Sequence, residues 1–238
     1  MPAAELLSAV EAAVRASRGY AFAIGAAHAV GGGCIDAAWR VGGGGEAFFV
    51  KTAAAGAGRF AAEADGLAAL ARCPEIAVPR VVAAGSGEAG DFLVLEWLEI
   101  ARAGDDVRLG EAVAALHERV LPHFGWHCDN FIGTTPQENR PDDDWPRFFR
   151  QRRLRPQLRR AAANGAPELE AAAADLLAGL HVFFPTGDPA PALLHGDLWR
   201  GNCGFSAGRP CLFDPAVHAG DPECDLAMAA LFGGFAPG

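Results

Sequence analysis

Leu193-Leu194-His195-Gly196-Asp197-Leu198-Trp199-Arg200-Gly201-Asn202, followed downstream by Leu212-Phe213-Asp214-Pro215, is the stretch that decides how this chain is read. It supplies an Asp, an Asn five residues later, and a second Asp at the end of an apolar run. Phosphoryl transfer from ATP needs three such groups. One carboxylate, here Asp197, takes or orients the proton of an attacking hydroxyl. An amide oxygen and a second carboxylate, here Asn202 and Asp214, hold magnesium against the phosphates. Magnesium prefers hard oxygen ligands, and an amide beside a carboxylate keeps the site from becoming too anionic for a triphosphate. A lone His-Gly-Asp is an ordinary turn, with Gly taking a conformation other residues resist. Here, however, Leu193-Leu194 and Cys211-Leu212-Phe213 each read as a short buried strand ending in a polar cluster. Two such ends aimed at one site are hard to explain as packing.

The chain has 238 residues, 51% of them apolar, enough for one large domain or two small lobes around a sizeable core. A formal net charge of -9 argues against nucleic acid as a partner. No apolar run approaches the roughly 20 residues of a membrane span. The segment Met1 to Val14 carries Glu5 and Glu11 and lacks the basic start and apolar centre of a secretory signal. The six cysteines are scattered and form no Cys-x-x-Cys, which argues against a zinc cage. A cytoplasmic protein with mostly free thiols, acting away from membranes, is the expectation.

Apolar periodicity predicts a helix over 3–17, strands over 21–29, 35–41 and 47–52, and a helix over 60–70. Glycine runs at 31–33 and 42–45 separate the strands as turns. A short strand around Val78 to Val82 and another over 91–97 complete a small sheet with one inserted helix. Beyond Glu99 the pattern becomes helical: 109–121, 145–163 with a kink or break at Pro156, 167–184, and a last helix over 224–235. The implied architecture is α+β: a nucleotide-binding N-lobe over residues 1–98 and a mainly helical C-lobe over 99–238 that carries the catalytic loop and substrate site.

Other parts of a nucleotide site can be placed on this frame. Lys51 ends the apolar strand Phe48-Phe49-Val50, where a lysine reaches the phosphates of a nucleotide. Glu63 on the next helix can pair with it. Taken alone, the two are equally a solvated strand-end lysine and a surface acid. Gly31-Gly32-Gly33-Cys34 would cover the phosphates with backbone N–H groups. It matches neither Gly-x-Gly-x-x-Gly nor the Walker pattern, so alone it is only a tight turn. Glu96-Trp97-Leu98, at the junction of the lobes, offers backbone groups of Glu96 and Leu98 to adenine, or is an ordinary linker.

With these residues placed, the chain resembles the fructosamine/ketosamine-3-kinase family, a branch of the protein-kinase-like superfamily near aminoglycoside phosphotransferases and choline kinases. The Asp197-to-Asn202 spacing matches the catalytic loop of protein kinases. Further matching stretches are Phe49-Val50-Lys51, Ala62-Glu63-Ala64-Asp65-Gly66-Leu67, Phe124-Gly125-Trp126, Asp129-Asn130-Phe131-Ile132-Gly133, Thr135-Pro136-Gln137-Glu138-Asn139, Asp214-Pro215-Ala216-Val217 and Asp225-Leu226-Ala227-Met228. The resemblance implies a two-lobe kinase fold, ATP and Mg2+ as cofactors, and phosphorylation of the 3-hydroxyl of a ketosamine, a sugar adduct on an amine such as lysine. Loss of the phosphorylated adduct would amount to protein deglycation. Asp197 is then the catalytic base, Asn202 and Asp214 are the magnesium ligands, and Lys51 and Glu63 are the phosphate-holding pair. Gly32, Gly33 and Cys34 cover the nucleotide. Trp199 either packs its ring on the sugar or belongs to the core.

The chain departs from the family pattern at His218-Ala219, at Pro222 and at Arg140-Pro141; none of these removes a catalytic group. It also stops at Gly238, where the resemblance leads one to expect further C-lobe helices. A shortened C-lobe would leave Leu226, Met228, Leu231, Phe232 and Phe235 as an uncovered apolar set. Two other readings stay open: a kinase of another small alcohol, of the aminoglycoside or choline type, and a non-catalytic nucleotide-binding remnant. Intact Lys51, Asp197 and Asp214 argue against the second. Cys34, beside three glycines, is either a small apolar filler or an oxidisable thiol able to link two chains in a redox-dependent dimer.

Overall fold

A computed structural model of the chain describes residues 2–31, 35–185 and 187–232. It opens with helix α1 (Ala4–Arg18), whose Leu6, Val10 and Val14 recur at helical spacing and are buried. Five strands follow: β1 (Ala26–Val30), β2 (Ala37–Gly43), β3 (Glu46–Ala53), β4 (Val81–Gly87) and β5 (Gly90–Glu96). They form one antiparallel sheet in the order β1-β2-β3-β5-β4, with helix α2 (Arg59–Leu70) inserted between β3 and β4. β5 is apolar without alternation because both its faces are covered. Phe92 and Val94 pack with Leu6, Val10 and Val14 of α1, while Leu93 and Leu95 pack with Phe60 and Leu67 of α2.

The differences from the expected elements have local causes. Residues 21–25 are not strand. They tether α1 to β1: the Phe22 ring sits edge-on to Phe48 at 5.2 Å, and the Ile24 N–H donates to Glu11 at 2.6 Å. The turn expected over 42–45 shrinks to Gly44 and Gly45, both at positive φ, while Gly42 and Gly43 pair with Ala47 and Glu46. β4 runs on through Ala83-Ala84-Gly85-Ser86-Gly87, residues with little strand preference, because pairing with β5 holds them.

The second half is more mixed than its periodicity suggests. It holds β6 (Ile100–Ala101), α3 (Asp106–His117), the hairpin β7 (Asn130–Ile132) and β8 (Thr135–Gln137), and α4 (Trp145–Phe148). After α4 come a π-helical turn (Phe149–Leu154), α5 (Arg155–Ala163), α6 (Glu168–Ala172), α7 (Ala174–Gly179) and a 3-10 turn (Leu180–Phe183). β9 (Ala192–Leu194), β10 (Cys203–Ser206), β11 (Arg209–Leu212), β12 (His218–Gly220) and α8 (Glu223–Leu231) complete it. α3 starts earlier than expected because Asp105 caps it, accepting the N–H groups of Val107 and Arg108. The helix expected over 145–163 does form, but it opens into the π turn just before Pro156, whose ring cannot fit against an ordinary preceding turn. The helix expected over 167–184 breaks into three pieces; α6 and α7 bury no residue, so no packing holds them as one rod. In α8, Leu226 and Leu231 are exposed, as is Phe232 beyond it. Gly233, Gly234 and Phe235 lie outside the described residues.

One apolar cluster joins the two halves of the chain. Leu70 of α2 and Leu109 and Leu116 of α3 pack with Leu193, Leu198, Leu212 and Val217. The short strands flanking the polar loops are thus anchored in the core, which leaves the loops themselves at the edge of a cleft.

Candidate active site

β9 delivers the chain into His195-Gly196-Asp197, and that turn is fixed from three sides. Buried Asp225, on α8, accepts the N–H of His195 at 2.8 Å and of Gly196 at 2.9 Å, and pairs with His117 Nε2 at 3.0 Å. The His195 ring bonds the Phe213 carbonyl through Nε2 at 3.0 Å. The Asp197 N–H donates to its Nδ1 at 3.2 Å. Gly196 has φ 80°, and a Cβ there would lie 2.0 Å from the Ala216 carbonyl oxygen. Glycine is required for both reasons, which is what the His-Gly-Asp reading asked for.

Asn202 orients Asp197. Its Nδ2 donates to Asp197 Oδ2 at 2.8 Å and to the Asp197 carbonyl at 2.9 Å. The Asn202 carbonyl accepts the N–H of Phe213 at 3.1 Å, which brings Asp214 alongside. Asp214 has φ 56°, a left-handed conformation that a short polar side chain tolerates. Its Oδ1 accepts from Lys51 Nζ at 2.8 Å, and Lys51 also donates to Glu63 Oε1 at 2.7 Å. One ammonium therefore bridges β3, α2 and the loop after β11.

The charges do not balance. Glu63, Asp214 and Asp197 set three carboxylates against Lys51. Burial pulls the Lys51 pKa down, but the carboxylates of Glu63 and Asp214 outweigh it and hold the ammonium charged. Burial also pushes the Glu63 carboxyl up, against Lys51, and Asp214 adds to the rise. Asp197 is raised as well, by burial first; His195 and the Asn202 hydrogen bond oppose this, and Asp214 and Asp225 add to it. The surplus of negative charge suits a cation. The donor set suits magnesium: both Asn202 amide protons go to Asp197, leaving its Oδ1 as an acceptor beside the part-exposed Asp214 carboxylate.

Asp197, Trp199, Asn202, Asp214, Lys51 and Glu63 all line a single cavity of about 420 Å³. Glu96 and Leu98 line the same cavity. The Glu96 N–H is already held by the Arg80 carbonyl at 2.9 Å, so only its carbonyl remains for a ligand. The Trp199 ring lies over Gly201 and 6.2 Å from Phe232. It is a wall of the cavity, only partly buried. Gly32, Gly33 and Cys34 lie outside the described residues; Gly31 and Ile35 on either side line the cavity.

Several site residues were not singled out from sequence. Asp225 and His117 hold the catalytic turn from behind. Asn130 lines the cavity, and its Nδ2 donates to the Val217 carbonyl at 2.6 Å; Gln137 donates in turn to Asn130 Oδ1 at 3.2 Å. Arg102 donates to the Gly201 carbonyl at 2.9 Å, and Arg200 bonds the Arg102 carbonyl and Asp106. Asp225 and Asn130 had one signal, their place in stretches that carry the family resemblance. Arg200 shared that signal, lying within the His195–Asn202 stretch; Arg102 had none, because its partners are backbone carbonyls distant in sequence.

Known proteins resemble this chain in sequence and in fold. Residues 6–238 match the family model described as fructosamine kinase. A Synechocystis protein assigned as a ketoamine kinase is 42% identical over 226 residues, covering 91% of this chain and 75% of the relative. The chloroplastic protein-ribulosamine 3-kinase of Oryza sativa is 34% identical, over 92% of this chain and 66% of the relative. Among solved structures, a Thermobifida fusca protein assigned as a fructosamine-3-kinase superposes with TM-score 0.81 at 36% identity, covering 94% of this chain and 78% of that one. Aminoglycoside phosphotransferase APH(4)-Ia, solved with AMP-PNP and hygromycin B, shares the fold alone: TM-score 0.63 at 16% identity, over 92% of this chain and 75% of that one. Among the described residues no helix is long and apolar enough to cross a membrane.

Proposed function

The chain belongs to the fructosamine kinase family, and from that premise we propose that Asp197, Asn202, Asp214, Lys51 and Glu63 transfer the γ-phosphate of ATP to the 3-hydroxyl of a ketosamine carried on an amine such as lysine. The enzyme is an ATP-dependent kinase acting on an alcohol group. The observation that carries the site assignment is the Asp197 carboxylate, oriented by Asn202 and facing the Lys51–Asp214–Glu63 cluster in one cavity.

The sugar hydroxyl attacks the γ-phosphorus, its proton passes to Asp197, and ADP leaves. A carboxylate whose pKa is raised by burial accepts that proton more readily than an ordinary aspartate. Lys51, held by Glu63, neutralises phosphate charge. Asn202 and Asp214 would hold magnesium, which supplies further charge neutralisation on the phosphates. Adenine would sit against the carbonyl of Glu96 and the backbone of Leu98, with Gly32, Gly33 and Cys34 over the phosphates. The Trp199 ring gives the sugar an apolar wall. In this reading residues 1–98 bind nucleotide, and 99–238 carry the catalytic loop and acceptor site. The phosphorylated adduct then leaves its amine, which makes the reaction a deglycation step.

The test incubates the protein with ATP, magnesium and synthetic ribulosyl-lysine or fructosyl-lysine, and follows the new phosphate ester by phosphorus NMR. A 3-phosphate is expected. Transfer to an aminoglycoside or choline, with none to either ketosamine, would overturn the substrate; ATP turnover with no acceptor at all would overturn the kinase reading.

A further inference from the structure

Away from the nucleotide cavity, three side chains of different chemistry converge. Asp65 lies on α2, and His127 and Cys128 lie in the loop before β7. His127 Nε2 is 3.1 Å from Asp65 Oδ1, Cys128 Sγ is 3.8 Å from Asp65 Oδ2, and the three ligand atoms all fall within 4.8 Å of one another. None of the three lines the cavity that holds Asp197.

We propose that Asp65, His127 and Cys128 form a binding site for a zinc-class divalent cation that ties α2 to the loop before β7. Ligand atoms on a tetrahedral zinc ion, with bonds of about 2.0–2.3 Å, stand about 3.3–3.8 Å apart, so small side-chain rotations close the set. A thiolate, an imidazole and one carboxylate favour zinc and its neighbours over magnesium, which takes oxygen ligands. Among the described residues this is the one His, Cys, Asp or Glu grouping with such spacing.

Two further features fit a metal site. Asp65 Oδ2 accepts the indole N–H of Trp126 at 2.6 Å, which fixes the carboxylate from outside as the supporting partners of metal ligands do. His127 is 63% exposed on its side chain, which leaves an entry path and room for water as a fourth ligand. The absence of any Cys-x-x-Cys had argued against a zinc cage. A missing Cys-x-x-Cys excludes only sites built from one local motif; here the ligands come from segments about sixty residues apart.

Loading the site forms a metal–sulfur, a metal–nitrogen and a metal–oxygen bond. The Cys128 thiol proton is released to water, and the imidazole binds as the neutral ring with its proton on Nδ1. Neither step changes an oxidation state.

Cobalt(II) replaces zinc spectroscopically and reports a thiolate ligand through its sulfur-to-metal charge-transfer band. Titration of the full chain, free of nucleotide and magnesium, is expected to give one equivalent of bound cobalt with that band. Zinc displaces it and raises Tm. Cys128→Ser, nearly isosteric, removes the band and the Tm shift while its circular dichroism stays native. His127→Gln weakens binding at least about tenfold, in line with the loss of one ligand contact. Absence of a thiolate band in the wild type would overturn the proposal. So would a band that persists in Cys128→Ser, because it would place the metal on another cysteine.

Discussion

The imidazole of His195 spans the two loops that carry Asp197 and Asp214: its Nε2 meets the Phe213 carbonyl at 3.0 Å while its Nδ1 meets the Asp197 N–H at 3.2 Å. Because a backbone N–H can only donate, Nδ1 is the acceptor in this contact, and Nε2 is the atom that faces the Phe213 carbonyl. The spacing between the proposed base and the proposed metal ligand is therefore set jointly by this buried ring and by the backbone bond from the Phe213 N–H to the Asn202 carbonyl.

Asp197→Asn keeps the shape and removes the proton acceptor. kcat is expected to fall by roughly 10²–10⁴-fold with ATP affinity little changed. Steady-state kinetics with either ketosamine, alongside nucleotide titration, checks both halves; a variant that keeps most of its kcat removes Asp197 from the mechanism. In the wild type the base must be ionised, and burial raises its pKa. The acid limb of kcat should therefore lie at higher pH than an ordinary aspartate would give, with activity lost as pH falls through it.

Lys51→Met strips the ammonium from between Glu63 and Asp214. Lys51 and Glu63 are 12% and 13% exposed on their side chains, so the remaining carboxylates lose a nearly buried partner. Urea denaturation should show a loss of about 3–5 kcal/mol. Adding Glu63→Gln should recover most of it, since the buried Glu63 carboxylate is then removed and the Asp214 carboxylate left behind is 40% exposed to water. Strict additivity of the two changes would contradict the pairing.

Asp225→Asn tests the support behind the catalytic turn. Burial alone would raise the Asp225 pKa, but the His117 hydrogen bond, the nearby His195 and His117 rings and the Gly196 N–H outweigh it and hold the carboxyl below the usual aspartate range. A folded-state pKa below the unfolded one contributes stability above the unfolded pKa, and that stability disappears as pH falls through the folded value. Near neutrality the substitution should cost about 2–3 kcal/mol, from hydrogen bonds to a charged acceptor. The gap between wild type and variant should narrow at acid pH, below the ordinary aspartate range. A gap that stays constant with pH would mean that the carboxylate charge contributes nothing.

Gly196→Ala should abolish activity and strongly destabilise the fold, since the added Cβ would meet the Ala216 carbonyl oxygen at 2.0 Å in a backbone at φ 80°. Gly110→Ala is the control. Gly110 lies within α3 with nothing within 4 Å of an added Cβ, so the change should raise stability by roughly 1 kcal/mol. Thermal melts of the two proteins should move in opposite directions.

The parts of the site that were legible in sequence are those whose chemistry is local. Asp197, Gly196 and Asn202 announce themselves within seven residues, and Phe48-Phe49-Val50-Lys51 carries its own strand signal. Among the short strands, β9 was legible, but the β7–β8 hairpin and the part of β4 beyond Val82 were not. β7 and β8 are three residues each, and β4 is made mostly of alanine, glycine and serine. The role of the Asp225 carboxylate was not legible for a related reason: it accepts two N–H groups about thirty residues upstream, and no spacing encodes that. The break-up of 167–184 shows the opposite failure, since helical composition was present without a buried face to hold it.

Gly66, in the middle of α2, lies so close to the loop after Asp214 that a Cβ there would come within 3.0 Å of the Pro215 ring and 3.2 Å of Val217. Mechanically, α2 is a strut pinned at several points: through Glu63 to Lys51, through its own backbone to Pro215, and through Asp65 to Trp126. A division of the chain at residue 98 assigns α2 to the sheet, yet two of its three pins reach into the second half. Opening the cleft would thus strain α2 from both sides, since Phe60 and Leu67 seat it on Leu93 and Leu95 of the sheet while Gly66 and Asp65 hold it to the second half.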